Sequence, residues 1–208
     1  MSRQTIANQI VSSRLIAIIR LKNSKDVYPV CSAIAEGGIT CIEITLTTPN
    51  ALGEIEKLSQ HSNILIGVGS VVNKEQAHSA IKSGAQYVVS PVTKQEIIRE
   101  SHRLEKPVIS GAFTPTEMRQ AFDWHADFIK LFPAAFLGSS YLKAVKAPMP
   151  ELKIIPTGGI NKDNAKEWLK SGAEALGIGG ALLKKEWVEN KDYKSITKNT
   201  HSLLNSIT

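Results

Sequence analysis

A short phrase repeats in this chain, and it limits the fold more than any other feature. Lys82-Ser83-Gly84-Ala85-Gln86-Tyr87-Val88-Val89 returns as Lys170-Ser171-Gly172-Ala173-Glu174-Ala175-Leu176-Gly177, and Glu36-Gly37-Gly38-Ile39-Thr40-Cys41-Ile42 has the same shape. Each copy ends a helical pattern on a glycine suited to the left-handed C′ position and then starts an apolar run. Helix starts are marked as regularly. Thr93-x-x-Glu96 and Thr114-Pro115-Thr116-Glu117 have the form of capping boxes, the second with proline at the first helical position. Asn73 and Asn161 stand as N-caps before helices whose small or apolar residues recur at helical spacing, such as Ala77, Ala80, Ile81 and Gly84, or Ala165, Trp168, Leu169 and Gly172.

Between the helical patterns lie eight short apolar runs: 15–20, 41–47, 64–70, 87–91, 107–113, 128–133, 153–158 and 175–180. Each is followed by a helix, which is the order of a (β/α)₈ TIM barrel in the α/β class. Thr5–Ser13 reads as an extra N-terminal helix that covers the barrel floor. The 208 residues are expected to form a single barrel domain over 1–208, short for this architecture and therefore tight in its loops. A doubly wound sheet has the same alternation and is the rival fold.

The composition, 42% hydrophobic and 21% charged, is that of a soluble globular protein. The formal charge of +6 favours acidic or phosphorylated partners. The lysines are dispersed, however, with no basic block interleaved with aromatics, so a nucleic-acid-binding module is the weaker alternative. Cys31 and Cys41 make neither a disulfide framework nor a metal knuckle. No run has signal-peptide or membrane-spanning length, and the expectation is a reducing, cytoplasmic compartment without a membrane partner. His61, His78, His102, His125 and His201 lack metal-ligand spacing and read as solvated surface side chains. No P-loop, Rossmann fingerprint or nucleophile elbow occurs.

Lys130 is the residue that calls for chemistry. It interrupts the apolar strand Phe128-Ile129-Lys130-Leu131-Phe132-Pro133. Burial disfavours an ammonium ion, and a partly neutral amine is a nucleophile for carbonyl carbon. The alternative is a strand-end lysine whose stem lets the charge reach solvent. In the second strand Ile42, Ile44 and Leu46 share one face, while Cys41, Glu43, Thr45 and Thr47 share the other. If Phe128, Lys130 and Phe132 point into the barrel, Lys130 meets Glu43 there. Such a couple is either a structural ion pair or an acid/base pair. Barrel active sites gather at strand C-termini, where this chain has Arg20, Glu43 to Thr47, Ser70, Pro91, Lys130 and two glycine pairs. Gly158-Gly159 and Gly179-Gly180 end strands seven and eight, a common place for phosphate to sit on backbone N–H groups.

Several segments together resemble the 2-keto-3-deoxy-6-phosphogluconate/4-hydroxy-2-oxoglutarate (KDPG/KHG) aldolases. They are Gly37-Gly38 through Cys41-Ile42-Glu43-Ile44-Thr45-Leu46-Thr47-Thr48-Pro49, Ile66-Gly67-Val68-Gly69-Ser70-Val71, and Val89-Ser90-Pro91. Thr114-Pro115-Thr116-Glu117, Ile129-Lys130-Leu131-Phe132-Pro133 and Pro156-Thr157-Gly158-Gly159-Ile160 complete the set, and the match spans about 20–183. The resemblance implies a class I aldolase that needs no metal or cofactor and assembles as a homotrimer. It implies that Lys130 forms the Schiff base and Glu43 is the general acid/base. It places Ser70 on the pyruvate carboxylate, Pro91 and Phe132 as pocket walls, Thr157 at a position tied to stereochemical choice, and Gly158, Gly159, Gly179 and Gly180 on the phosphate. Two positions depart from the pattern: Thr47 stands where some members have a carboxylate-binding arginine, and Ala181 where some have a phosphate-binding serine. Arg20 is then the fixed cation near the mouth. The substrates implied are a phosphorylated keto acid and pyruvate. The galactonate epimer, or a phosphate-binding barrel isomerase or synthase, are the alternatives.

Overall fold

The helix expected before the first strand is one turn fraction longer than its pattern, because Ser2 accepts the Thr5 N–H and starts it early: α1 runs Arg3–Ser13 and ends where Arg14 turns left-handed. The computed structural model describes residues 1–61 and 63–207. Strands follow at β1 (Leu15–Ile19), β2 (Cys41–Thr45), β3 (Leu65–Gly69), β4 (Tyr87–Val89), β5 (Val108–Ala112), β6 (Phe128–Leu131), β7 (Ile154–Pro156) and β8 (Leu176–Ile178). Helices alternate with them: α2 (Val27–Glu36), α3 (Ala51–Ser59), α4 (Lys74–Lys82), α5 (Gln95–Arg103), α6 (Pro115–Asp123), α7 (Gly138–Lys146), α8 (Ala165–Lys170), α9 (Lys185–Glu189) and α10 (Tyr193–Ile207).

All strand pairs are parallel, in the order β7-β6-β5-β4-β3-β2-β1-β8. A single bridge, Thr157 to Gly177, joins the outer strands, so the sheet closes on itself as the TIM barrel that the alternation predicts. The doubly wound rival has open edges and is excluded. Every strand is one to three residues shorter than its apolar run, and all of them lose residues at the C-terminal end, where the chain leaves the ladder to form loops.

The repeated glycines do what the repeat predicts. Gly38, Gly84 and Gly172 have φ of 100°, 104° and 100°, values that a side chain disfavours. Thr114 and Glu117 make the reciprocal capping box, and Asn73 accepts the Gln76 N–H. Thr93 does not cap. Its hydroxyl donates across strands to Gly111 O at 2.5 Å, and α5 starts from Lys94 without a side-chain cap. Asn161 accepts from the Asp163 and Asn164 N–H groups and opens a turn that delays α8 to Ala165.

The strands separate two cores. Leu15, Ala17, Ile42, Ile44, Ile66, Val68, Val88, Ile129 and Leu131 face the helices. Inside the barrel, the first inward residue of each strand contributes to a second cluster: Ile16, Cys41, Leu65, Tyr87, Ile109, Phe128 and Ile155, with Ala175 just before β8. Ile6, Ala7 and Ile10 of α1 close that cluster from below. Asp127 anchors the plug, accepting from Arg3 of α1 at 3.0 Å, from the Val108 N–H at 3.0 Å and meeting His102 at 2.9 Å. His102 is therefore not the free surface histidine that spacing suggested, and His78 likewise pairs with Glu100 at 2.7 Å.

Candidate active site

Two residues further along most strands, the barrel interior changes character. The inward positions become Ile18, Glu43, Gly67, Lys130, Thr157 and Gly177, and a cavity of about 720 Å³ opens above the apolar floor toward the strand C-termini. Several of these glycines face a larger inward group on the neighbouring strand. A Cβ at Gly69 would collide with the Glu43 carboxylate, and one at Gly67 with the Tyr87 ring. The strand glycines thus make room for a buried carboxylate and for the ring beneath it.

Of the expected site residues, Arg20, Glu43, Ser70, Pro91, Lys130, Phe132, Thr157, Gly158, Gly159, Gly179 and Gly180 line this one cavity. Thr47 does not. The alternation that put it beside Glu43 stops at Thr45, where a turn closed by the Thr48 N–H to Thr45 O ends the strand. Thr47 instead bonds the Thr45 hydroxyl at 2.9 Å. Ile18, Asn161 and Leu183 also line the cavity and were not expected. For Ile18 the signal was available, since it alternates with inward Ile16; Asn161 and Leu183 sit in loops whose path no local pattern sets.

Lys130 and Glu43 are the centre. Both are buried, at 6% and 2% exposure, with Nζ 3.9 Å from Oε1. That is an ion-pair distance, too long for a hydrogen bond. Oε1 has no hydrogen-bond partner among the described residues, so a strong acceptor faces the cavity unused. Burial pushes the Glu43 pKa above the ordinary carboxylate value, while Lys130 and then Arg20 act in the opposite direction. Lys130 Nζ also lies 5.2 Å from the centroid of the Phe132 ring, which walls the pocket.

Around this pair the backbone is unusual. Ser70 sits left-handed at φ 62°, a conformation that costs a non-glycine residue about 1–2 kcal/mol and points to a role for its hydroxyl. Gly158 and Gly159 follow β7 with φ of 95° and 75°, and Gly179 begins a turn closed by the Leu182 N–H. At Gly180 an added Cβ would meet nothing within 4 Å, so that loop leaves open space at the mouth. A buried lysine, a buried carboxylate and an open glycine-rich rim are groups that can form a Schiff base, move a proton beside it and accept an anionic tail. Among the described residues, no group of three or more His, Cys, Asp or Glu side chains could hold a metal ion. Nor is any described helix long and apolar enough to cross a membrane. Cys31 and Cys41 are both unpaired and buried, the Cys41 thiol pushed up to about 12 mainly by burial.

The family described as "KDPG and KHG aldolase" matches residues 6–199. The 2-dehydro-3-deoxy-phosphogluconate aldolase of Pseudomonas aeruginosa is 31% identical over 89% of this chain and 86% of its own. The 2-dehydro-3-deoxy-6-phosphogalactonate aldolase of Escherichia coli is 30% identical over 81% and 83%. The KDPG aldolase of Legionella pneumophila, solved with pyruvate captured as a covalent carbinolamine, superposes with a TM-score of 0.88, at 30% identity, over 95% of this chain and 97% of that one.

Proposed function

Because the chain belongs to the KDPG and KHG aldolase family, we propose that it splits 2-keto-3-deoxy-6-phosphogluconate into pyruvate and glyceraldehyde 3-phosphate through a Schiff base on Lys130. The observation that carries this reading is the buried couple of Lys130 and Glu43, 3.9 Å apart, with Glu43 Oε1 unpartnered beside the cavity. Lys130 Nζ adds to C2 to give a carbinolamine, which takes up a proton and loses water to leave an iminium ion that draws electrons. Glu43 takes the C4 hydroxyl proton as the C3–C4 bond breaks, and the bonding pair moves to the iminium as an enamine. Glyceraldehyde 3-phosphate leaves. The enamine gains a proton at C3, and water hydrolyses the resulting iminium to pyruvate and free lysine.

The Ser70 hydroxyl holds the pyruvate carboxylate, with Pro91 and Phe132 as walls, and Arg20 supplies fixed positive charge. Gly158, Gly159, Gly179 and Gly180 receive the phosphate on backbone donors, where Ala181 offers no hydroxyl. The same couple also splits 4-hydroxy-2-oxoglutarate into pyruvate and glyoxylate. The galactonate epimer is a second reading, favoured by a 6-phosphogalactonate aldolase at 30% identity. Assembly as a homotrimer is supported by aromatic side chains left exposed beside the β5 and β6 ends, Phe113 and Phe136, the latter 81% exposed. Two free, buried thiols fit a cytoplasmic setting.

The test is a coupled assay of pyruvate release over both phosphorylated epimers and 4-hydroxy-2-oxoglutarate, together with borohydride reduction in the presence of pyruvate. The expected results are turnover of at least one sugar acid and a pyruvate-derived mass on the peptide holding Lys130. Labelling at a different lysine would overturn the assignment to Lys130, and no labelling with no turnover would favour a phosphate-binding barrel without covalent chemistry.

A further inference from the structure

Arg20 lies just past the last residue of β1, beyond the final ladder pair of β1 and β2 at Ile19 and Ile44. Its neighbours nevertheless do not run free. The Leu21 N–H donates to Thr48 Oγ1 at 3.3 Å, and the Thr45 hydroxyl donates to Ile19 O at 3.2 Å. Thr45 and Thr48 are themselves 3.4 Å apart, oxygen to oxygen.

A hydroxyl carries one proton, so these contacts have a single consistent direction. The Thr45 proton goes to the Ile19 carbonyl. Thr48 must then donate to Thr45, and it accepts from Leu21. The result is a relay, Leu21 N–H to Thr48 to Thr45 to Ile19 C=O, that leaves the backbone on one side of Arg20 and returns to it on the other. Thr47 donates into the same Thr45 oxygen at 2.9 Å and fills its second lone pair. Thr45 and Thr48 are 1% and 2% exposed, so water does not compete for these bonds. The side chain bracketed in this way lines the cavity and acts electrostatically on Glu43.

We infer that Thr45 and Thr48 are positioning residues for Arg20, holding the two peptide units that flank it so that its charge stays fixed over the substrate cavity. The inference rests on the proposed role of Arg20 toward an anionic substrate, and it assigns the threonines that follow Glu43 no contact with substrate. It also accounts for Thr47, whose hydroxyl serves the relay and not the pocket.

The probe is 6-phosphogluconate, which carries both anionic ends but no keto group, so its binding by calorimetry is independent of Schiff-base chemistry. Thr48→Val keeps the branched shape and removes the hydroxyl; it should weaken binding by about three- to tenfold, the worth of one hydrogen bond. Thr48→Ser should bind like the wild type. Added to Arg20→Met, Thr48→Val should cost nothing further, because a positioning residue has no effect once its client is gone. Should Thr48→Val fail to fold, Thr45→Val removes the other end of the relay and carries the same expectations. Wild-type affinity in both valine variants overturns the inference, as does a loss fully additive with Arg20→Met or a wild type that does not bind the probe. An enzyme that binds the probe with this pattern yet releases no pyruvate from either sugar acid would instead refute the aldolase reading and leave the relay standing.

Discussion

The floor and the mouth of this barrel are built from the same strands, two residues apart, and share almost no chemistry. At the floor, Cys41 of β2, Tyr87 of β4 and Phe128 of β6 point inward and meet α1 in a dry cluster, each 1% exposed or less. One inward step later, β2 offers Glu43 and β6 offers Lys130, and the centre of the barrel is open. A period-two strand assigns both residues to the same face, so the difference between them is depth alone. The floor supplies close packing, which fixes the register of the strands. The mouth uses that register to hold two opposite charges at a distance where neither satisfies the other.

The comparison predicts that the two layers fail differently. At the mouth, Glu43→Gln keeps the shape and removes the base, so turnover should fall by about 10²–10⁴-fold, or roughly 3–5 kcal/mol on the barrier. Because burial raises the Glu43 pKa, the acid limb of the wild-type pH–rate profile should lie above the ordinary carboxylate range, activity rising as Glu43 loses its proton. That limb should be missing in Glu43→Gln. Turnover near the wild-type level would reduce the pair to a structural bridge. At the floor, Tyr87→Ala empties a position with no exposed surface, against which Gly67 gives no side chain to collapse. Denaturant unfolding should show a loss of about 3–5 kcal/mol, with far less effect on turnover per folded molecule. An equal loss of turnover would mean that floor and mouth are not separable.

How much of this was legible in the sequence follows from how local each signal is. Helix ends at Gly38, Gly84 and Gly172 depend on one residue's backbone, and the repeat predicts them all. The meeting of Lys130 with Glu43 follows from alternation once a barrel is assumed. Thr93 misled because a capping-box spacing does not reveal whether the hydroxyl has a better partner elsewhere; here Gly111 O, eighteen residues on, takes it. Thr47 misled because alternation carries no information on where a strand stops. The strand glycines were invisible for the same reason, since the carboxylate that needs Gly69 and the ring that needs Gly67 are on neighbouring strands. Arg20 was legible as a charge near the mouth, but its hydroxyl relay requires two strand ends side by side.

The smallest effect should come at the rim, where floor-like stability and mouth-like function meet in one residue. Ser70 directly follows β3 with φ 62°, a strained conformation next to regular strand. Relieving it with glycine recovers about 1–2 kcal/mol of backbone strain, less about 0.5–1 kcal/mol for the greater freedom glycine has in the unfolded chain. Ser70→Gly should therefore be more stable to denaturant by up to about 1.5 kcal/mol. It also removes the hydroxyl assigned to the pyruvate carboxylate. A hydrogen bond to a charged group is worth about 1.5–3 kcal/mol, so kcat/KM should fall by roughly 10- to 150-fold. Ser70→Ala separates the two effects, because it keeps the strain and loses the hydroxyl; its activity should match that of the glycine variant while its stability stays at the wild-type level. If the glycine variant is more stable and fully active, the left-handed serine has no catalytic reason to be there, and the boundary between structural and functional layers lies closer to the mouth than Ser70.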